Sequence, residues 1–364
     1  MQNKKIIIAG GGTGGHIFPA IAIANALKKA DPAIELLFVG AKGKMEMEKI
    51  PQAGYAIKGL DIAGFNRSSL IKNFSLPFKL LKSFFQVRQI INDFRPDAVV
   101  GVGGYSSFPV LKYAQVKNIP SFIHESNSFA GKSNVLLGKK ATKVFVASEG
   151  MEKFFPAATI IITGNPVRSS IVQGRLSREE GARFFGLDPA KKIILATGGS
   201  LGAKGINEAI GEQAEMFGSN DVQLIWQTGK PFAAQAAKIA EEQRNIWTDA
   251  FITEMEKAYA AADIVISRAG AMAIAELCVV QKPVIFVPYP FAAEDHQTAN
   301  AKALEQKHAG IMIKDSEAKQ SLVQAAIALA KDEARQQELK NNIAKLAISN
   351  ADERIAAEIL NIIK

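Results

Sequence analysis

"KKIIIAGGGTGGHIFPAIAIANAL", residues 4–27, runs a short apolar stretch into a glycine-rich loop and then into a helical pattern. A continuously apolar strand that empties into glycines before a helix is the opening unit of a parallel sheet with both faces covered. Glycines let backbone approach a ligand closely, and the first N–H groups of the following helix have no partner within it, so they suit an anion. His16 stands at the helix entrance. The positive end of the helix dipole disfavours an imidazolium there, which predicts a neutral ring able to accept a proton.

Further along, the design repeats. Apolar runs at 35–40, 97–103, 120–125, 143–148 and 160–163 alternate with helical patterns. A second series follows at 192–198, 223–229, 250–253, 263–267, 283–288 and 310–314, and its opening "KKIILATGG" at Lys191 echoes the first. This predicts an α/β chain of two Rossmann-like parallel-sheet domains facing a central cleft, where strand ends hold ligands. Gly164 and Pro166 break the pattern. The expected division is 1–163 and 164–344, with a C-terminal helix at about 345–364 packing back on the first domain.

The 364 residues suffice for two cores. A single cysteine, Cys278, excludes an intramolecular disulfide and reads as a small buried hydrophobe. No run of about 18 apolar residues occurs, so no membrane-spanning helix is expected. The net charge of +9 points to an anionic partner: a membrane surface, a nucleotide or a polyanion.

Gly10, Gly12 and Gly15 satisfy G-x-G-x-x-G, but the second strand ends in Gly40 and Ala41 without the acidic residue a dinucleotide ribose requires. The loop also lacks a P-loop lysine. Other strand ends carry polar clusters: "GGYSS" with Gly103, Gly104, Tyr105 and Ser106; "HESN" with His124, Glu125 and Asn127; "GGSLGA" with Ser200; "SRAGAMAIAE" ending in Glu276; and "EDHQTANA" with Gln297. Hydroxyls, amides and bare backbone suit sugars and phosphates. With no D-x-D and no metal-spaced cluster, no metal and no cofactor is expected. Leaving-group charge would fall to loop amides, helix dipoles and Arg168.

In their order, "GGTGGH", "GGYSS", "HESN", "TGNPVR", "GGSLGA", "SRAGA" and "EDHQTANA" resemble the bacterial peptidoglycan N-acetylglucosaminyltransferase family over nearly the whole chain. The resemblance implies a GT-B fold and an inverting transfer of GlcNAc from UDP-GlcNAc to lipid I, undecaprenyl-pyrophosphoryl-MurNAc-pentapeptide, at the cytoplasmic face of the membrane. It implies donor contacts at Thr13, Gly14, Gly15, Asn127, Arg168, Ser200, Ile252, Glu276 and Gln297. The acceptor pyrophosphate is expected at Gly12, Gly103, Gly104, Tyr105 and Ser106, and the base at His16, with Glu125 and His124 in reserve. Leu201, Ser126, Ala269 and Ala273 depart from the family pattern and put single hydrogen bonds in question. A UDP-GlcNAc 2-epimerase, or a transferase with another lipid-linked acceptor, would share the donor half. A nucleic-acid-binding protein would leave the glycine loops without purpose, so no nucleic-acid partner is expected.

The stretch "FNRSSLIKNFSLPFKLLKSFFQVRQIIN", residues 65–92, holds Arg67, Lys72, Lys79, Lys82 and Arg88 and no acidic residue. Leu80, Phe84, Val87 and Ile91 have the spacing of one buried helix face. Leu76, Phe78, Leu81 and Phe85 fall elsewhere, among the lysines. This predicts a peripheral contact with an anionic membrane through Lys72, Phe78, Lys79, Leu81, Lys82 and Phe85.

Overall fold

The computed structural model describes residues 3–64, 76–174, 176–199, 201–292 and 295–363. The chain forms two compact units, Met1–Arg168 with Asn350–Lys364, and Ser169–Ser349. The first contains β1 (Lys5–Ala9), β2 (Glu35–Ala41), β3 (Ile57–Leu60), β4 (Ala98–Gly101), β5 (Ser121–Glu125), β6 (Lys143–Val146) and β7 (Ile160–Ile162). The second contains β8 (Lys192–Thr197), β9 (Val222–Gln227), β10 (Ile246–Asp249), β11 (Ile264–Ser267), β12 (Val284–Phe286) and β13 (Ile311–Met312). Every pairing is parallel.

The sheet orders are β3-β2-β1-β4-β5-β6-β7 and β10-β9-β8-β11-β12-β13. Each reverses direction once, between β1 and β4 and between β8 and β11. At such a point the loops leaving two neighbouring strands diverge to opposite faces and open a crevice at the strand ends.

Why the strands are apolar throughout is visible in β1. Ile6 and Ile8 join one core cluster with Ile17 and Ile23 of α1 (Gly14–Ala30). Ile7 and Ala9, pointing the other way, join a second cluster. α2 (Glu46–Gln52) follows β2. The second cluster includes Val87 and Ile91 of α3 (Leu76–Phe94) and Val110 and Leu111 of α4 (Ser107–Val116). Each successive side chain thus has a covered face to enter.

The helix Ala351–Ile362 belongs to the first unit. Ile355 and Ile359 are fully buried in the cluster that holds Ile6 and Ile8, and the Arg354 guanidinium donates to the Ile162 carbonyl at 2.8 Å.

Three expectations are corrected. The apolar run at 250–253 is a loop, and the edge strand of the second sheet is Ile246–Asp249, whose Ile246 pairs in register with Leu224. β3 was not foreseen, because "IKGL" carries a lysine and a glycine in only four residues. Leu80 is 36% exposed and lies outside the core of α3, where buried Ser83 takes part of the face instead.

Replacing Ile359 by alanine should remove packing from both α1 and β1. We expect a loss of about 2–5 kcal/mol in the first unit, read by urea unfolding. A change below about 1 kcal/mol would show that the helix is not integral to that core.

Candidate active site

In the first unit the switch point brings the loops after β1 and β4 into backbone contact. Gly104 has φ +83°, and a Cβ there would lie 2.4 Å from the Gly11 carbonyl oxygen. Gly103, at φ +97°, faces the imidazole of His16: a Cβ would lie 2.7 Å from Nε2. No other residue type fits either place. Thr13 begins α1 in extended backbone, and its carbonyl accepts the N–H groups of His16 and Ile17 at 3.1 Å. Gly14 and Gly15 form the first turn, where backbone donors lack intrahelical partners.

His16 Nδ1 lies 3.0 Å from the Gly11 carbonyl oxygen. A carbonyl can only accept, so Nδ1 carries the proton and Nε2 keeps its lone pair. Among the described residues nothing bonds Nε2. Burial lowers the ring's pKa, against opposing contributions from the Gly11 bond, Glu125 and Glu46. The ring is therefore neutral at pH 7, the state the helix-entrance argument predicted, with desolvation as its main cause.

The reserve bases are corrected. Glu125 is buried, and its carboxylate accepts from the Asn127 N–H at 3.1 Å, Asn127 Nδ2 at 3.2 Å, the Gly131 N–H at 3.1 Å and Asn134 Nδ2 at 2.8 Å. Four donors fill its lone pairs, so it organises the loop before α5 (Lys132–Gly138). His124 is fully buried, and desolvation followed by the nearby His16 ring brings its pKa to about 4. It cannot reach a substrate hydroxyl.

Gly12 is also reassigned. Its N–H donates to Glu46 Oε2 at 2.9 Å, so it is not free for a phosphate. Ser106 is buried at the start of α4. The Tyr105 ring lies beside Gly12 and Gly64, and its hydroxyl is buried without a hydrogen bond among the described residues. Burial and the nearby Glu46 raise the phenol pKa. The Arg168 guanidinium stacks 5.0 Å over the Phe18 ring.

The second unit repeats the scheme. A Cβ on Gly202 would lie 2.0 Å from the Thr228 carbonyl oxygen, so the loops after β8 and β9 touch through backbone. Gln227 is buried; its Nε2 donates to the Gly199 carbonyl at 2.9 Å and its Oε1 accepts the Ile252 N–H at 3.1 Å. Ile252 thus has its carbonyl, not its N–H, left for a ligand. Glu276 sits on the helix Ala271–Val280, mostly buried, and accepts from the Tyr259 hydroxyl at 3.1 Å. Gln297 Oε1 accepts the Tyr289 N–H at 2.9 Å, and among the described residues its NH₂ is left as a donor. Ile252 lies in the loop after β10, Glu276 on the helix after β11 and Gln297 on the helix His296–Glu305 after β12, three segments that leave strands of one sheet. Sequence reading missed Gln227 because a glutamine inside "QLIWQTG" looks like an ordinary strand residue.

Ser200 and Lys72 lie outside the described residues. On α3, Phe78, Leu81 and Phe85 are 77%, 58% and 63% exposed and share one stripe of the helix. Lys79 is exposed, whereas Lys82 pairs with Asp61 at 2.9 Å, as does Lys42. Those two cations bring the Asp61 pKa to about 2. Among the described residues no helix is long and apolar enough to cross a membrane.

The glycosyltransferase family 28 N-terminal domain matches residues 6–146 and the C-terminal domain of the same family matches residues 193–356. The chain belongs to glycosyltransferase family 28. Among its family 28 relatives, the UDP-N-acetylglucosamine–N-acetylmuramyl-(pentapeptide) pyrophosphoryl-undecaprenol N-acetylglucosamine transferase of Phocaeicola vulgatus is 52% identical, covering 99% of this chain and 97% of the relative. The enzyme of that name from Parabacteroides distasonis is 51% identical, over 100% and 99%. The crystal structure of Acinetobacter baumannii MurG superposes with a TM-score of 0.74 at 29% identity, covering 98% of this chain and 99% of that one. A UDP-GlcNAc 2-epimerase from Neisseria meningitidis shares the fold at 15% identity, with a TM-score of 0.68 over 98% and 100%.

Gly104→Ala forces a Cβ onto the Gly11 carbonyl and should shift His16. Glycosyl transfer should fall by about 10²-fold, the scale of a 1 Å misplacement. UDP affinity, measured by calorimetry, should be unchanged. Near-normal transfer by a folded Gly104→Ala variant would show that the loop contact does not set the site.

Proposed function

We propose that this chain transfers GlcNAc from UDP-GlcNAc to the 4-hydroxyl of MurNAc in lipid I, with inversion, at the cytoplasmic face of the membrane, for peptidoglycan synthesis. The observation that carries the reading is half identity over essentially the full length to enzymes bearing that name. The geometry of His16 supports its role as base. His16 Nε2 takes the proton of the 4-hydroxyl, and the freed oxygen forms a bond to C1 of GlcNAc. The bond from C1 to the UDP oxygen breaks in the same step, and UDP leaves with the electron pair. The cationic character that develops at C1 makes positioning and charge stabilisation the main demands on the protein.

The acceptor pyrophosphate meets the amides of Gly103 and Gly104 and the first turn of α1, beside Tyr105 and Ser106. On the donor side the Ile252 carbonyl accepts from the uracil N3–H, Glu276 accepts from the ribose hydroxyls, and Gln297 donates to the hexosamine. Ser200 and Arg168 serve the diphosphate, and Thr13 and Asn127 the sugar.

Two variants test the roles. His16→Ala should lower kcat with a lipid I analogue by about 10²–10⁴-fold and leave UDP binding intact. Glu276→Ala should weaken UDP binding by roughly 1.5–3 kcal/mol, the range for a hydrogen bond to a charged group. Near-normal turnover without His16 would move the base elsewhere. Unchanged UDP affinity without Glu276 would remove the nucleotide from that carboxylate.

A substrate anchored by a polyprenyl chain requires work at the bilayer surface. The stripe Phe78, Leu81 and Phe85, beside Lys79, is the contact. Each basic residue near anionic lipid contributes about 1 kcal/mol, reduced by salt. Changing Phe78, Leu81 and Phe85 to serine should abolish sedimentation with phosphatidylglycerol vesicles and leave UDP binding unchanged. Sedimentation equal to wild type would contradict the membrane contact.

A further inference from the structure

Glu46 is a carboxylate that the reaction described above does not use. It is 1% exposed, in the first turn of the short helix α2, and threaded between the first glycine loop and the end of β2. Its Oε2 accepts the Gly12 N–H at 2.9 Å and its Oε1 accepts the Ala41 N–H at 3.0 Å. Space for it is made by missing side chains: a Cβ on Gly11 would lie 2.3 Å from the carboxylate, and one on Gly40 would lie 2.5 Å from Cγ. The same loop then turns the Gly11 carbonyl onto His16 Nδ1 at 3.0 Å and packs it against Gly104. Two oxygens thus tie the loop whose carbonyl orients the imidazole to the end of β2.

We propose that Glu46 is a positioning residue for the transfer: through the Gly11–Gly12 backbone it fixes the imidazole of His16 with Nδ1 protonated and Nε2 open. The role rests on the reading of His16 as base. Glutamine cannot replace the glutamate. It has the same size but only one acceptor, so its NH₂ must face either Gly12 N–H or Ala41 N–H, donor against donor. Aspartate keeps both acceptors and is one methylene short.

The test combines a double-mutant cycle with a spectroscopic measurement. Glu46→Gln should lower kcat with a lipid I analogue by about 10²-fold, the cost of a small misplacement. The KM for UDP-GlcNAc and the affinity for UDP should stay as in wild type. In the His16→Ala background the same substitution should cost nothing more, because it acts through His16. Nitrogen-15 spectra should show the Nδ1–H tautomer of His16 dominant in wild type and diminished in Glu46→Gln. If Glu46→Gln does not fold, Glu46→Asp is measured in its place and should show the same two changes in smaller degree. Losses that multiply in the double variant, or a tautomer unchanged in the folded variant, would overturn the proposal. Failure of the base reading would look different: His16→Ala would keep its turnover, whatever the spectra of the Glu46 variants.

Discussion

The N-terminal site depends on two loops that meet with no side chain between them. The sheet reverses at β1 and β4, so the chain leaves two adjacent strands in opposite directions. The crevice that results is narrow enough for Gly104 to rest on the Gly11 carbonyl, where a Cβ would lie 2.4 Å away. That carbonyl accepts from His16, and the ring's other edge passes over Gly103. The protonation pattern of the imidazole therefore follows from backbone placement. The second unit uses the same device, Gly202 against the Thr228 carbonyl, to join the loops after β8 and β9.

Charge is managed by saturation. Glu46 and Glu125 both lie close enough to His16 to raise its pKa, yet burial lowers it overall and the ring stays neutral. Each carboxylate is met by backbone or amide donors, so neither is an uncompensated buried charge. Glycine at 11 and 40 makes room for Glu46, so the bareness of the opening loop serves the protein's own carboxylate as well as a ligand.

Much of this was legible in the sequence. Uninterrupted apolar runs such as "KIIIA" and "KIILAT" are what a sheet covered on both faces demands, and their glycine-rich exits located the strand ends that carry the site. His16 was visible because a histidine is unusual at a helix entrance. What the sequence could not display was which polar groups are already taken. Gly12 looked like a free amide and Glu125 like a free base, but the fold brings Glu46 onto Gly12 from 34 residues away, and the loop after Glu125 folds back onto its carboxylate. Glu46 and Gln227 were overlooked for the same reason. A glutamate in "MEMEK" reads as a solvated helix charge, and only the fold buries it against the loop. The strand at Ile246–Asp249 was misplaced by a few residues because "IWTD" and "AFIT" are both plausible β-runs, and pairing with Leu224 chose between them.

The central claim is that the chain moves GlcNAc onto a lipid-linked acceptor and does not act on the donor alone. UDP release from UDP-GlcNAc, followed with and without a lipid I analogue while GlcNAc incorporation is counted in the product, tests it most directly. The account predicts UDP release that depends on the analogue and equals the GlcNAc incorporated. Consumption of UDP-GlcNAc at the same rate without the analogue, with no GlcNAc in the lipid, would contradict it.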